Sequence, residues 1–349
     1  MNTLYSEPIG KRGNHTTMTK WLVFLEQREG IVKQSSIDAW NRVQELAALL
    51  PGTVVYGLLP GPASIGQLEG RLAGKGVIYQ AGEERLRLYN PQHYMRLVAD
   101  TLTKEDASTL FFADTALSRD LAPRLSVRLQ ASLLSGCPTL DDTWPDDGGC
   151  RRPVYSGSVI ASFLPLRPLR IYTTSSRPTH SAAPFDASSG AHIAFVALEP
   201  YAITGEALFP LVRQLAMHKG TTDVAEAGIV IAGGRGMGGQ EGFALLEELA
   251  RTLGGAVGAS RPVVDEGWRP HAEQIGQTGK TVAPSLYIAC AISGSPQHLA
   301  GMGSAGTVVA INRDPHAPIF DVADYGIVGD VHIVLPKLLE ALQEFLQKK

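Results

Sequence analysis

Five glycines, Gly233, Gly234, Gly236, Gly238 and Gly239, follow the apolar run AGIVIA directly and lead into the helical segment FALLEELARTL. In a strand, turn and helix arrangement of this kind, backbone amides and the next helix's N-terminus can face a phosphate. Arg235 lies inside the turn, where a guanidinium pairs well with a pyrophosphate. The spacing departs from the strict GxGxxG fingerprint, however, and a strand-to-helix turn needs glycine on steric grounds alone. Two more clusters are polar where a plain loop would not require it: Ser260-Arg261, and Gly276-Gln277-Thr278-Gly279 ahead of a strand. A third, Ser293-Gly294-Ser295-Pro296-Gln297-His298, sits at the C-terminal end of that strand, where α/β sheets place ligands. Taken alone, His298 reads as a helix-start or surface histidine. Four polar loops at four strand ends of one domain point instead to a ligand site, and no Cys-His pair or carboxylate dyad suggests substrate chemistry beside it.

The elements that position these loops follow from periodicity. WLVFLEQ, TVVYGLLPG, GVIYQAG, RLRLYN, STLFFADT and AHIAFVALE read as strands, and IDAWNRVQELAALL, PQHYMRLVADTLTKE and LAPRLSVRLQASLL as helices, with Ser36 a cap for the first. Strands alternating with helices predict a parallel sheet covered on both faces. From Ser135 to about Ala183 the chain is rich in Pro, Gly and hydroxyl residues, which suits hairpins and loops. A second α/β pattern then begins, with SLYIACAIS, TVVAINRD and VHIVLP as strands and KLLEALQEFLQKK as a closing amphipathic helix. The domains expected are a flexible tail over 1–20, an N-terminal α/β domain over 21–205 and a C-terminal domain over 206–349, with the boundary near residues 200 to 225.

Length and composition agree with two domains, each able to bury a core. Of the 349 residues 44% are hydrophobic and 19% charged, with a formal net charge of -3, the profile of an ordinary globular chain. The 31 Lys and Arg are scattered among 34 Asp and Glu, which argues against a nucleic-acid partner. No apolar run is long enough for a transmembrane helix. The polar start, MNTLYSEPIGKRGNHTTMTK, reads as a disordered tail of a cytoplasmic protein rather than an import signal. Cys137, Cys150 and Cys290 lack the close pairs of a zinc site or a disulfide framework and are expected to be free thiols in a reducing compartment.

At AISGSPQHLAGMGSAGTVVAINRDPHAPIFDVADYGIVGD the chain resembles the alpha subunit of electron transfer flavoproteins, with SG..QH..GM, AIN.D..API and ADYGIVGD in the family's order. The upstream IAGGRG, ASRPVVDEGW and IGQTGKTVAPSLYIA fit the same pattern, and LAPRLSVRL and RRPVYSGSV extend it more weakly into the first domain. The resemblance implies an α/β chain: an N-terminal parallel-sheet, nucleotide-hydrolase-like domain, and a C-terminal dinucleotide (FAD)-binding Rossmann-like domain. It implies a heterodimer with an electron transfer flavoprotein beta subunit, FAD as cofactor and no metal. Electrons would enter from flavin dehydrogenases such as the acyl-CoA dehydrogenases of fatty acid beta-oxidation and leave to a quinone oxidoreductase or other acceptor.

FAD contacts carry over to Arg235, Ser260, Arg261, Ile275, Gly276, Gln277, Thr278, Ser293, Gly294, Ser295, Pro296, Gln297, His298, Asn312, Asp330 and Val331. His298 is expected at the flavin O2, where a donor or a cation raises the flavin's potential. Arg261 is expected against the ring, the Thr278 hydroxyl at N5 or O4, Ser260 and Asn312 at the pyrophosphate and Asp330 at the adenosine half. Gln277 and Gln297 suit the ribityl chain or ring edge. Two departures stand out, since the family usually reads GISGAIQH: Ala291 replaces a glycine, and Pro296 removes an amide donor from the flavin loop. An electron-bifurcating, NADH-oxidising complex and a nicotinamide-dependent dehydrogenase remain alternatives.

Overall fold

The computed structural model describes residues 19–137, 148–154, 159–174, 192–199, 223–303 and 305–347. The expected tail over 1–20 lies outside the described residues except for its last two, and the expected boundary near 200 to 225 lies outside them up to residue 222.

In the N-terminal half, β1 (Thr19–Phe24) leads through the short ribbon of β2 (Gln27–Arg28) and β3 (Ile31–Val32) into α1 (Gln34–Leu49). Then come β4 (Thr53–Pro60), β5 (Lys75–Ala81), α2 (Pro91–Glu105), β6 (Thr109–Ala113), α3 (Ala116–Leu129) and β7 (Ser132–Cys137). The antiparallel ribbon of β8 (Cys150–Val154) and β9 (Val159–Phe163) precedes β10 (Arg170–Thr174) and β11 (His192–Ala197). Seven of these strands form one parallel sheet in the order β11-β5-β4-β1-β6-β10-β7. Alternate residues of β1 serve opposite cores, as a pleated strand requires: Trp21 and Val23 pack with Trp40 and Val43 of α1, while Leu22 and Phe24 pack with Tyr94 and Leu97 of α2 and Leu121 of α3.

The C-terminal half repeats the scheme with β12 (Ile229–Gly233), α4 (Phe243–Leu253), β13 (Ala256–Ala259), the short α5 (Arg261–Asp265), β14 (Leu286–Cys290), α6 (Pro296–Met302), β15 (Thr307–Asn312), β16 (Tyr325–Val328) and α7 (Val331–Gln347). All five strands are parallel, in the order β13-β12-β14-β15-β16. Ile231, Ile288 and Ile311 face α4 and α7, while Val230, Tyr287 and Ala310 face the opposite core with Ile275 and Met302.

Five expectations change. LAPRLSVRLQASLL is helical only as far as Leu129: Gln130 closes α3 in a left-handed turn at φ 51, and Ser132–Leu134 open β7. RLRLYN forms a 3-10 turn over Glu84–Leu86 and then the cap of α2: Asn90 Oδ1 accepts the amides of Gln92 and His93, and the Leu86 carbonyl takes the Tyr94 hydroxyl. VHIVLP is the first part of α7, because the Asp330 carboxylate accepts the His332 amide and the Asp330 carbonyl those of Ile333 and Val334, which starts a helix there. Ser36 lies within α1, whose N-cap is Lys33; its hydroxyl accepts the Glu26 amide instead. Cys137 and Cys150 form a disulfide, with Cα atoms 5.8 Å apart; β7 and β8 bring together two residues whose spacing in sequence gave no sign of pairing. Cys290 is the free thiol expected, buried in β14.

Candidate functional site

A parallel sheet binds ligands in the crevice beyond its strand C-termini where the strand order reverses. From β12 the chain builds β13 on one side and β14 on the other, so the crevice lies between the glycine turn after β12 and the loop after β14. The Gly234 amide donates to the Cys290 carbonyl at 2.8 Å. A Cβ on Gly234 would fall 2.0 Å from the Ala291 carbonyl oxygen, and one on Gly236 2.8 Å from the Ala291 Cβ, so packing alone demands glycine at these two positions. Arg235 opens a 3-10 turn whose Met237 is buried, and its own side chain is exposed.

Beyond β13, Ser260 is buried and its amide donates to the Gly233 carbonyl, which ties this loop to the glycine turn. Arg261 is exposed, with Asp265 one helical turn away at 3.4 Å, a solvated pair of little energetic weight. The next loop enters on buried Ile275, whose amide donates to Ala259. Gly276 takes φ +142. Gln277 and Thr278 are exposed, and the Thr278 hydroxyl accepts a bond from the buried Gln274 amide at 3.0 Å.

After β14 the loop holds Ser293, Ser295, Pro296 and Gln297 exposed, while Gly294 is buried at φ +86, where a Cβ would meet the Ile319 amide nitrogen at 2.3 Å. Pro296 begins α6, a position whose missing amide costs the helix nothing. The Gln297 carbonyl accepts the Gln277 amide at 2.8 Å, so the third and fourth polar loops of the sequence are stitched together. His298 follows, only 5% exposed. Its Nε2 lies 2.8 Å from the Tyr287 hydroxyl, and its Nδ1 has no hydrogen-bond partner among the described residues. Burial pushes the His298 pKa down to about 4, with the nearby Ile275 backbone offsetting part of the effect. The ring is therefore neutral near pH 7.

Asn312 ends β15 with both ends of its amide engaged: Nδ2 donates to the Ile292 carbonyl and Oδ1 accepts the Asp314 amide. It thereby fixes the entrance to the 293–298 loop. Asp330 is exposed at the cap of α7, and Val331 is buried in the cluster that contains Met237 of the glycine turn. All the sequence-predicted positions thus gather at one end of the sheet. Tyr287 escaped the sequence reading because it sits in an apolar strand whose composition already accounts for it.

The rim suits a polar, anionic ligand. Arg235 and Arg261 supply positive charge, and Gln277, Thr278, Ser293, Ser295 and Gln297 supply exposed hydrogen-bonding groups. The buried Nδ1 of His298 is a polar atom still owed a partner. Residues 223–303 match the electron transfer flavoprotein FAD-binding domain, and residues 21–195 match the electron transfer flavoprotein domain. The chain is 36% identical over 334 residues to the electron transfer flavoprotein subunit alpha of Thermoanaerobacterium thermosaccharolyticum, covering 92% of this chain and 97% of that one. The chain belongs to the electron transfer flavoprotein alpha subunit family. Other relatives in the family include subunit alpha of Bacillus subtilis, 38% identical over 275 residues (78% of this chain, 82% of that one), and Protein FixB of Clostridium saccharobutylicum, 36% identical over 327 residues (93% and 96%). FAD is the cofactor of this electron transfer flavoprotein domain. The matched stretch 223–303 takes in every expected contact except Asn312, Asp330 and Val331.

Proposed function

We propose that this chain is the FAD-holding half of a heterodimeric electron carrier, completed by an electron transfer flavoprotein beta subunit. It takes electrons from flavin dehydrogenases such as acyl-CoA dehydrogenases and passes them to a quinone oxidoreductase or other acceptor. The observation that carries this reading is the stitched pair of loops, 276–278 and 293–298, at the switch point, with a neutral buried histidine between them and the sheet. FAD supplies the electron chemistry when bound; the protein's residues bind and tune it. Among the described residues no group of His, Cys, Asp or Glu could hold a metal ion, and no helix is long and apolar enough to cross a membrane.

Arg235, Ser260 and the glycine-turn amides would hold the pyrophosphate, and Asp330 with Val331 the adenosine half. Arg261 would lie against the flavin ring, with Thr278, Gln277, Gln297 and the Ser293–His298 loop at the ring's polar edge and ribityl chain. Ile275 and Gly276 would shape the ring's bed, and Asn312, expected beside the pyrophosphate, also holds the Ile292 carbonyl. Purification of the chain with its beta subunit should give a yellow complex with an FAD absorbance spectrum. A colourless complex that takes up no added FAD would overturn the reading. Arg235→Ala should weaken FAD binding roughly tenfold, the size of one lost charge-assisted hydrogen bond, as measured by fluorescence titration.

A further inference from the structure

The Tyr287 and His298 side chains are buried together on the core side of the C-terminal sheet, the phenol 0% and the imidazole 5% exposed. Tyr287 comes from the second position of β14 and His298 from the first turn of α6, and the 2.8 Å contact between the phenol oxygen and Nε2 joins them. Turning the imidazole over would put a ring C–H against the phenol oxygen, so the hydrogen bond fixes the ring's orientation as well as its place.

The same contact decides where the imidazole proton sits. A neutral imidazole has one N–H and one bare nitrogen. If Nε2 carried the proton, it would donate to the phenol oxygen, and the phenol's own proton would have no acceptor among the described residues. A buried donor left without a partner is penalised. With the proton on Nδ1, the phenol donates to bare Nε2 and both of those atoms are satisfied. The phenol touches the imidazole, and the Cys290 thiol, on the opposite face of β14, acts on the phenol through the strand; burial pushes both up, so both are uncharged. Neither favours an imidazolium.

We infer that Tyr287 is a positioning residue for His298: its phenol proton occupies Nε2, so His298 presents FAD with a neutral ring whose one donor is Nδ1–H. The inference rests on the FAD site proposed above and settles which of two chemistries, donor or cation, His298 brings to it. The flavin receives a hydrogen bond without a positive charge. Nδ1 makes no hydrogen bond of normal geometry; the Ile275 backbone lies near enough to act on the ring and favours an N–H there, which stays open to a ligand.

The test is ¹⁵N NMR of histidine-labelled chain in complex with the beta subunit, with and without FAD, and His298→Gln identifies the resonance among the nine histidines. At pH 7 the pattern should be that of a neutral ring protonated at Nδ1 in both states, and it should persist to about pH 5. Tyr287→Phe should move the Nε2 signal toward that of a protonated nitrogen as the tautomers mix. The difference in FAD reduction potential between wild type and His298→Gln should stay constant from pH 6 to 8. An imidazolium or an Nε2–H ring in the FAD-free protein, or a potential difference that grows as the pH falls across that window, overturns the inference. Because the FAD-free spectrum reports the tautomer by itself, a complex that binds no FAD would sink only the function proposed above.

Discussion

Ala291 turns the backbone left-handed, at φ 54, directly after β14 and against the glycine turn. A side chain there costs about 1–2 kcal/mol, part of which glycine would give back through its freer unfolded chain, about 0.4–1 kcal/mol. Ala291→Gly should therefore raise stability by up to about 1.5 kcal/mol, read as a higher urea midpoint at unchanged slope. A lower midpoint would mean that the Ala291 methyl contributes packing against Gly236 that outweighs the strain. The other departure from the family pattern, Pro296, carries no such penalty, since it occupies the first position of α6. His298 adds a pH signature. Its folded pKa of about 4 lies below the ordinary imidazole value of about 6.5. Between the two the unfolded chain binds the extra proton, so this stabilisation is complete above the unfolded value and is lost as the pH falls toward the folded one. The loss should approach about 3 kcal/mol near pH 4. In His298→Gln the stability profile should be flatter between pH 6.5 and 4 by one proton's worth of slope; parallel profiles would show that His298 titrates normally.

Helix α6 owes its position to one close approach. A Cβ on Gly301 would fall 2.3 Å from the Gly276 amide nitrogen, so the helix lies directly on the loop that begins at Ile275. The Gly301 carbonyl also accepts the Val282 amide. Gly301→Ala must push the two apart, at a cost of about 1–3 kcal/mol for overpacking. It should strain the Gln277–Gln297 bond that joins the two polar loops. FAD content per heterodimer should fall while far-UV circular dichroism stays unchanged; full FAD occupancy would show that the loops do not need this contact. The polar loops were legible in the sequence because strand ends announce themselves through apolar runs that stop at Gly, Ser and Gln. The helices over 91–105 and 243–253 were legible from their apolar period. What joins the elements was not. The 287–298 hydrogen bond, the Asn312–Ile292 bond and the 137–150 disulfide link residues 11, 20 and 13 positions apart, through contacts that only the folded sheet creates. VHIVLP read as a strand because a buried helix face and a buried strand share the same apolar composition over six residues, and the deciding cap, Asp330, lies just outside the run.

The described residues form two parallel sheets, each with a reversal of strand order, and the two crevices are furnished differently. In the first sheet the order reverses at β1, which has β4 on one side and β6 on the other. Just beyond its C-terminal end Glu26 is buried, accepts the Thr115 hydroxyl, and pairs with Lys33 at 2.7 Å. Lys33 also reaches Glu226, at the approach to the second sheet. Burial alone would lower the Lys33 pKa, but the carboxylates of Glu26 and Glu226 more than reverse this, so the ammonium stays charged. The place where this sheet would otherwise admit a ligand is thus taken by the protein's own ion pair, whereas the second crevice is lined by glycine backbone and open polar side chains. The two arms of the Lys33 contact should differ in weight. The side chains of Lys33 and Glu26 are 15% and 9% exposed, that of Glu226 40%. Lys33→Met leaves a buried carboxylate unpaired and should cost about 3 kcal/mol, whereas Glu226→Gln removes a solvated partner and should cost less than about 1 kcal/mol. Thermal melts of the heterodimer read both. If Glu226→Gln proves as damaging as Lys33→Met, the contact across to the second half, rather than the pair inside the first crevice, holds this part of the molecule together.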